Sequence, residues 1–352
     1  MPTHKFFGFS LYLSTFAAQC SALRGQAGTG TPVFLSLHIS EEFDDTYCRR
    51  AEGICAQLNE WGYRIIADVS RKTLVQFDCD SLTELAAHLG LWALRIDYGF
   101  TGEEIGAMAE KMPIVINAST VSAADAARIV SRGSDVYAMH NFYPRPETGL
   151  DEDYLRERTR ALQNAGLKVL AFIPGDTLRR GPLFEGLPTL EEHRNCLPSA
   201  AFADLCIRFG MDGVFIADPG ISETEVQRIR RYCTEDVVSI PAFLACGYER
   251  LYDKVFTCRV DSPKWLVRFL ESREYSCQGD TVKPENCVSR EVGSITIDNE
   301  KYGRYSGEIQ LIRKQLPADE RVNVIGHAAD GGQILLPCIR GGQKFTLVRP
   351  KE

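Results

Sequence analysis

Short apolar runs alternate with amphipathic stretches along most of this chain. Eight runs read as strands: Phe6–Leu13, Pro32–His38, Tyr63–Asp68, Ala93–Asp97, Pro113–Asn117, Asp135–His140, Lys168–Ile173 and Gly213–Ala217. They are short, bounded by turn residues and nearly continuous in apolar side chains, the pattern of parallel strands buried on both faces. The stretches between them have helical spacing. In Thr46–Trp61, Cys48, Ala51, Ile54, Cys55 and Leu58 fall on one face, and Gly62 ends the helix. Asn164-Ala165-Gly166 repeats that device before Lys168–Ile173. About eight strand-then-helix units over roughly 230 residues predict an α/β protein built on a (β/α)8 barrel. An open doubly wound sheet normally has fewer strands and a glycine-rich phosphate loop after the first. Neither GxGxxG nor GxxxxGK[ST] occurs there, and Gly25–Gly30 reads as a loop after a helical segment.

After about Tyr232 the pattern changes. Ser239–Ala245, Val255–Val260, Gly293–Ile297, Val322–Ile325, Gln333–Pro337 and Phe345–Val348 read as strands. Asp298-Asn299, Asp330-Gly331-Gly332 and Gly341-Gly342 supply the turns between them. One helix is expected around Arg304–Lys314 or Pro263–Glu271. The expected division is a barrel over residues 1–235 and a smaller, mostly-β domain over 236–352.

Composition and charge narrow the function. The 352 residues carry 40 Lys+Arg and 47 Asp+Glu, a net charge of −7, which argues against a nucleic-acid partner. No apolar run reaches the length of a membrane span, so no membrane partner is expected. Phe6–Leu13 superficially resembles a signal peptide, but Gly8 and Ser10 interrupt it, and it reads as a first buried strand of a cytoplasmic protein. There are twelve cysteines and no CxxC pair, so the expectation is small core residues in a reducing compartment, with no metal site and no cofactor.

In a (β/α)8 barrel the chemistry sits at the C-terminal ends of the strands. Those ends form a polar ring: Ser36 and His38 with Glu41 beyond, Asp68, Arg95 and Asp97, Asn117, His140 and Asn141, and Asp218. Asp68 and Asp97 close adjacent strands, and paired carboxylates in a cleft suit glycosidic hydrolysis, one protonating the leaving oxygen and one serving the anomeric carbon. Taken singly, an Asp or Asn here is equally a helix cap or turn residue, and His140 is equally a satisfied buried histidine. Two long loops follow the sixth and seventh strands. The first runs from His140 to Leu150 and holds Arg145 and Glu147; the second runs from Arg179 to Arg194 and holds Arg180 and Glu185. Their arginines, in an acidic chain, suit an anionic group such as phosphate.

These loops carry a resemblance. The strings His140-Asn141-Phe142-Tyr143-Pro144-Arg145 and Arg180-Gly181-Pro182-Leu183-Phe184-Glu185-Gly186-Leu187-Pro188-Thr189-Leu190-Glu191-Glu192-His193-Arg194 resemble the bacterial 6-phospho-N-acetylmuramidase family. So do Ser36-Leu37-His38-Ile39, Ala67-Asp68-Val69-Ser70, Leu94-Arg95-Ile96-Asp97-Tyr98-Gly99-Phe100, Ile116-Asn117-Ala118-Ser119-Thr120 and Arg304-Tyr305-Ser306-Gly307-Glu308. The resemblance implies a TIM barrel with a cyclophilin-like β domain. It also implies hydrolysis of the β-1,4 bond of N-acetylmuramic acid 6-phosphate–N-acetylglucosamine, in cytoplasmic recycling of cell-wall sugars. By position, Asp68 and Asp97 are the expected catalytic pair, with Glu41 and Glu147 in reserve. The second domain is expected to close over the barrel or to form a homodimer. Two other readings compete. One is another phosphosugar enzyme of this fold: a metal-dependent isomerase, for which His38, Asp68, Asp97 and His140 could form a mixed site, or a Schiff-base aldolase, which needs a strand lysine, and Lys168 stands at the wrong end of its strand. A non-catalytic sugar-phosphate sensor would not need the strand-end carboxylates.

Overall fold

The computed structural model describes residues 5–37, 43–96, 99–133, 135–276 and 281–350. Eight parallel strands close into a barrel: β1 Phe6–Leu11, β2 Pro32–Ser36, β3 Arg64–Val69, β4 Ala93–Ile96, β5 Ile114–Asn117, β6 Val136–Met139, β7 Lys168–Ile173 and β8 Gly213–Ile216. β1 pairs with both β2 and β8, which completes the ring. The connecting helices are α1 Phe16–Arg24, α2 Tyr47–Glu60, α3 Arg71–Gln76, α4 Leu82–Leu89, α5 Gly102–Ala109, α6 Ala123–Val130, α7 Glu152–Asn164 and α8 Pro198–Arg208, with α9 Glu223–Glu235 after the last strand. The expected barrel is therefore present, each strand beginning within a residue of its expected start. No helix among the described residues is long and apolar enough to cross a membrane.

The barrel interior follows from strand alternation. Phe34, Ile66, Ala93, Val115, Tyr137, Met139, Leu170, Phe172 and Phe215 point inward and pack as one cluster, with Tyr12 after β1. Space is tight: a Cβ at Gly213 would lie 2.4 Å from the Phe6 ring. The barrel is thus a filled core, and chemistry is confined to its rim.

The chain divides into two compact units, one of Met1–Pro198 and Phe209–Ser222, the other of Ser199–Arg208 and Glu223–Glu352. The last two barrel helices, α8 and α9, thus group with the β-rich segment. Within that unit the backbone N–H of Ser199 donates to Glu225 Oε2 at 2.8 Å, and Cys338 Sγ lies 3.4 Å from Asp204 Oδ1. The unit's seven-stranded sheet comprises β9 Val237–Leu244, β10 Val255–Thr257, β11 Leu266–Arg268, β12 Ser294–Asp298, β13 Ile309–Ile312, β14 Val322–Ala328 and β15 Lys344–Val348. Their order is β10-β15-β9-β14-β12-β13-β11.

Three expectations fail here. Gln333–Pro337 is no strand: Gln333–Leu335 is a turn of 3₁₀ helix, because a short apolar run after Asp330-Gly331-Gly332 has no period to separate the two. No helix spans Arg304–Lys314; Gly307 turns the chain at a φ of 90°, and Ile309–Ile312 pairs with β11 and β12. Pro263–Glu271 instead holds strand β11, whose exposure alternates with period two, and helix α10 (Leu270–Ser276) starts near its end. The cysteine expectation also weakens. Of eleven described cysteines, none in a disulfide, four are buried, six half-buried and one exposed.

Candidate active site

Strand parity builds the site. Two residues beyond the inward-facing Phe34, Ile66, Ala93 and Val115 stand Ser36, Asp68, Arg95 and Asn117, so all four face the top of the barrel core. The register places Ser36 beside Asp68 and Asp68 beside Arg95 on neighbouring strands. Arg95 Nη1 donates to Asp68 Oδ1 at 2.8 Å, and Arg95 Nη2 donates to Asn141 Oδ1 at 2.6 Å. The ion pair is buried, the Arg95 and Asp68 side chains being 6 % and 10 % exposed. Asp68, Arg95 and Asn141 thus form one hydrogen-bonded row across the barrel mouth. Asn117 is buried too, and its Oδ1 accepts from the backbone of Ser119 at 2.9 Å, so it also shapes the turn after β5.

The two long loops are fastened by side chains. Arg194 is buried and donates to the carbonyls of Tyr143 at 3.0 Å, Gly186 at 3.1 Å and Arg145 at 3.2 Å. Glu191 pairs with Arg194 through both oxygens at 2.6 Å and accepts from the backbone of Glu147 at 2.9 Å and Gly149 at 2.7 Å. The Arg194 hydrogen bonds, with those two backbone donors, hold the Glu191 carboxyl down at about 2. One Glu–Arg pair therefore clasps the β6 loop to the β7 loop.

Asp218 fastens the second loop from below. It is buried, and it accepts from the backbone of Gly175 at 2.9 Å, Arg180 at 2.9 Å and Leu187 at 3.2 Å. Burial pushes its carboxyl above the usual range against the pull of those three N–H groups. With its backbone held this way, Arg180 places its guanidinium 4.3 Å from the centre of the Tyr12 ring and 6.0 Å from that of Phe142. The Tyr12 ring belongs to the barrel core, and its hydroxyl donates to the Ala217 carbonyl at 2.6 Å. No carboxylate among the described residues pairs with Arg180, which is half-buried. The result is a guanidinium over an aromatic floor with its donors free for a ligand anion.

The structure sorts the expected residues. Ser36, Asp68, Arg95, Asn117 and Asn141 line the mouth, with Arg180 at the same end of the barrel. His140 does not join them: one residue out of phase with Met139 and Asn141, it faces α7, where Nε2 lies 3.3 Å from Thr159 Oγ1. It is fully buried, and burial, aided by the Arg158 charge, pushes its imidazole down to about 3. It is a neutral packing residue, and its expected place at the ligand is corrected. Asp218 is corrected as well, from ligand contact to a residue that positions the loop. Arg145, Glu147 and Glu185 are exposed on the loops. His38, Glu41 and Asp97 lie outside the described residues. Sequence reasoning missed Tyr12, Phe142, Glu191 and Arg194; the last three sit inside the long loop strings, and Tyr12 gave no signal beyond closing the first apolar run. Lys168 is exposed at the start of β7, the far end from this mouth.

Comparisons with known proteins bear on the whole chain. The family described as "6-phospho-N-acetylmuramidase, N-terminal" matches residues 7–231, and "6-phospho-N-acetylmuramidase, C-terminal" matches residues 244–348. Among solved structures, a conserved Enterococcus faecalis protein of unknown function is 34 % identical with a TM-score of 0.82, the alignment covering 98 % of this chain and 96 % of that one. An uncharacterised B. cereus protein is 25 % identical with a TM-score of 0.80, covering 98 % and 100 %. No curated protein matches.

Proposed function

The chain belongs to the 6-phospho-N-acetylmuramidase family, and from that premise we propose how its residues divide the reaction. It is a glycoside hydrolase of a phosphorylated amino-sugar substrate. The proposed substrate is N-acetylmuramic acid 6-phosphate–N-acetylglucosamine, cleaved at its β-1,4 bond in cytoplasmic recycling of cell-wall sugars.

Asp68 takes the charged role. A buried carboxylate held at 2.8 Å by a guanidinium suits stabilising, or attacking, an anomeric carbon that becomes positive as the bond breaks. Arg95 and Asn141 fix its direction, which keeps reorganisation small at the reacting centre. Asp97 takes the acid role, protonating the leaving oxygen. It follows Arg95 by two positions in the sequence, the spacing of one strand face. Water then completes the hydrolysis, adding hydroxide to the anomeric carbon and returning a proton to the acid.

Arg180 takes the 6-phosphate. The observation that carries this reading is its guanidinium stacked on Tyr12 at 4.3 Å at the active end of the barrel, without a carboxylate partner among the described residues. Phe142, packed edge-on against Phe172 at 5.2 Å, supplies an apolar wall for a sugar ring. Competing aldol chemistry has no support from Lys168, given its place in β7.

The test is mass spectrometry of the phosphorylated disaccharide with the protein and its variants. Wild type releases two monosaccharides. Asp68→Asn and Asp97→Asn remain folded and lose about 10²–10⁴ in turnover. Wild-type turnover in either variant overturns its assignment.

A further inference from the structure

The β-rich unit holds a built cavity lined by its own residues. On the faces of β11, β13 and β12 that oppose the apolar core, alternation aligns polar side chains. Val267, Leu311, Ile295 and Ile297 are buried toward the core, while Arg268, Gln310 and Thr296 form a row across three paired strands. Asp298 and Glu308 extend that row. A second sheet face is ordinarily a solvated one. Here Thr296, Asp298, Glu308 and Gln310 are all at least nine-tenths buried, at 0 %, 7 %, 4 % and 7 % exposed. They floor a cleft of about 430 Å³ whose walls include Tyr302, Tyr305 and Arg290.

The floor is wired rather than loose. Arg268 Nη2 donates to Glu308 Oε2 at 2.6 Å, Gln310 Nε2 donates to Asp298 Oδ2 at 3.0 Å, and Thr296 Oγ1 donates to Gln310 Oε1 at 2.8 Å. The walls are aromatic. Tyr302 and Tyr305 stand edge-on, 5.9 Å between centroids, on the segment Glu300–Tyr305, which Gly303 kinks at φ 60° and ψ −120°. That conformation excludes side chains, so the glycine is what aims the two rings. Arg321 lies 4.6 Å from the Tyr302 ring centre and Arg304 4.9 Å from that of Tyr305.

Charge selects the ligand class. The arginines around the cleft are engaged within the unit, Arg268 with Glu308, Arg321 with Asp319 and Arg290 with the Pro317 carbonyl, which favours neither an anion nor an amine. Buried polar groups between aromatic faces match a neutral polyhydroxylated ring: carboxyl and amide groups take hydroxyls in pairs, and tyrosine faces take the C–H faces. Burial, with Glu308 nearby, pushes the Asp298 carboxyl up to about 7 against the Gln310 bond and the charges of Arg268 and Arg290, so near neutrality it can both donate and accept. We propose that this cleft is a carbohydrate site of the β-rich unit, built from residues other than those assigned to hydrolysis, which takes an uncharged hexose or N-acetylhexosamine ring.

Saturation-transfer NMR on the full chain with N-acetylglucosamine tests it. The expected result is saturable contact that persists in Asp68→Asn, where hydrolysis is lost. Tyr302→Ala and Asp298→Asn, each checked by circular dichroism, should weaken it about tenfold. Lack of saturable contact in wild type overturns the proposal. So does contact that survives both cleft variants, or that disappears in Asp68→Asn. If Asp68→Asn instead keeps full turnover while the cleft still binds sugar, the catalytic assignment fails and this one stands.

Discussion

Replacing Arg95 by methionine isolates the buried ion pair. The change keeps a long apolar stem but removes a 2.8 Å bond to Asp68 and a 2.6 Å bond to Asn141. Removing one partner of a buried ion pair costs about 3–5 kcal/mol. The Asn141 oxygen loses a donor as well, worth about 1 kcal/mol more. Against a typical total stability of about 5–15 kcal/mol, that is a large share. Urea unfolding should show a midpoint well below wild type with an unchanged slope. The double variant Arg95→Met/Asp68→Asn removes both charges of the pair and should regain part of the loss, the coupling between the two sites being about 1–3 kcal/mol. Strictly additive single-variant costs would refute the reading of Arg95 as the ion-pair partner of a buried Asp68. Turnover should remain low in all three variants.

Two further outcomes follow from the loops. Arg180→Met retains apolar contact with Tyr12 but removes the guanidinium, so kcat/KM for the phosphorylated disaccharide should fall roughly ten- to hundredfold, the value of a charge-assisted bond of about 1.5–3 kcal/mol. The unphosphorylated disaccharide should be unaffected; an equal loss on both refutes phosphate contact. Glu191, held at about 2 against an ordinary 4.5, adds stability that is complete above pH 4.5 and is lost as pH falls toward 2. Since the side chain is 31 % exposed, solvent screening brings this to about 1–2 kcal/mol. In Glu191→Gln the acid-side slope of thermal stability should flatten, and an unchanged slope would show that the clasp does not form.

The barrel was legible because its strands are short, apolar and evenly interrupted, and because every helix needed a stop such as Gly62. What periodicity could not supply was phase at the ends. His140 and Asn141 are adjacent polar residues after one strand; Met139 points inward, so Asn141 reaches Arg95 and His140 turns to α7. A sequence shows both and cannot say where the strand ends. Asp218 misled for a different reason. A carboxylate at a strand end can meet a ligand or three backbone N–H groups, and the choice belongs to the path of a loop more than thirty residues earlier. In the β-rich unit, three-residue strands such as β11 are too short to reveal a period, and pairing partners decide them.

The clasp and the Asp218 anchor divide the β7 loop into stem and tip. The stem, from Gly175 and Arg180 back to Gly186–Arg194, is fixed by buried acceptors and donors. The tip carries Leu183 and Phe184, 47 % and 59 % exposed, with Glu185 beside them. Sequence change is therefore cheap at one end of the loop and ruinous at the other. A lineage shifting toward a different aglycone has a short, permissive stretch to vary while Arg180, the residue proposed to meet the phosphate, stays in register. The same division makes residues 182–185 the place to build a library for altered substrate choice.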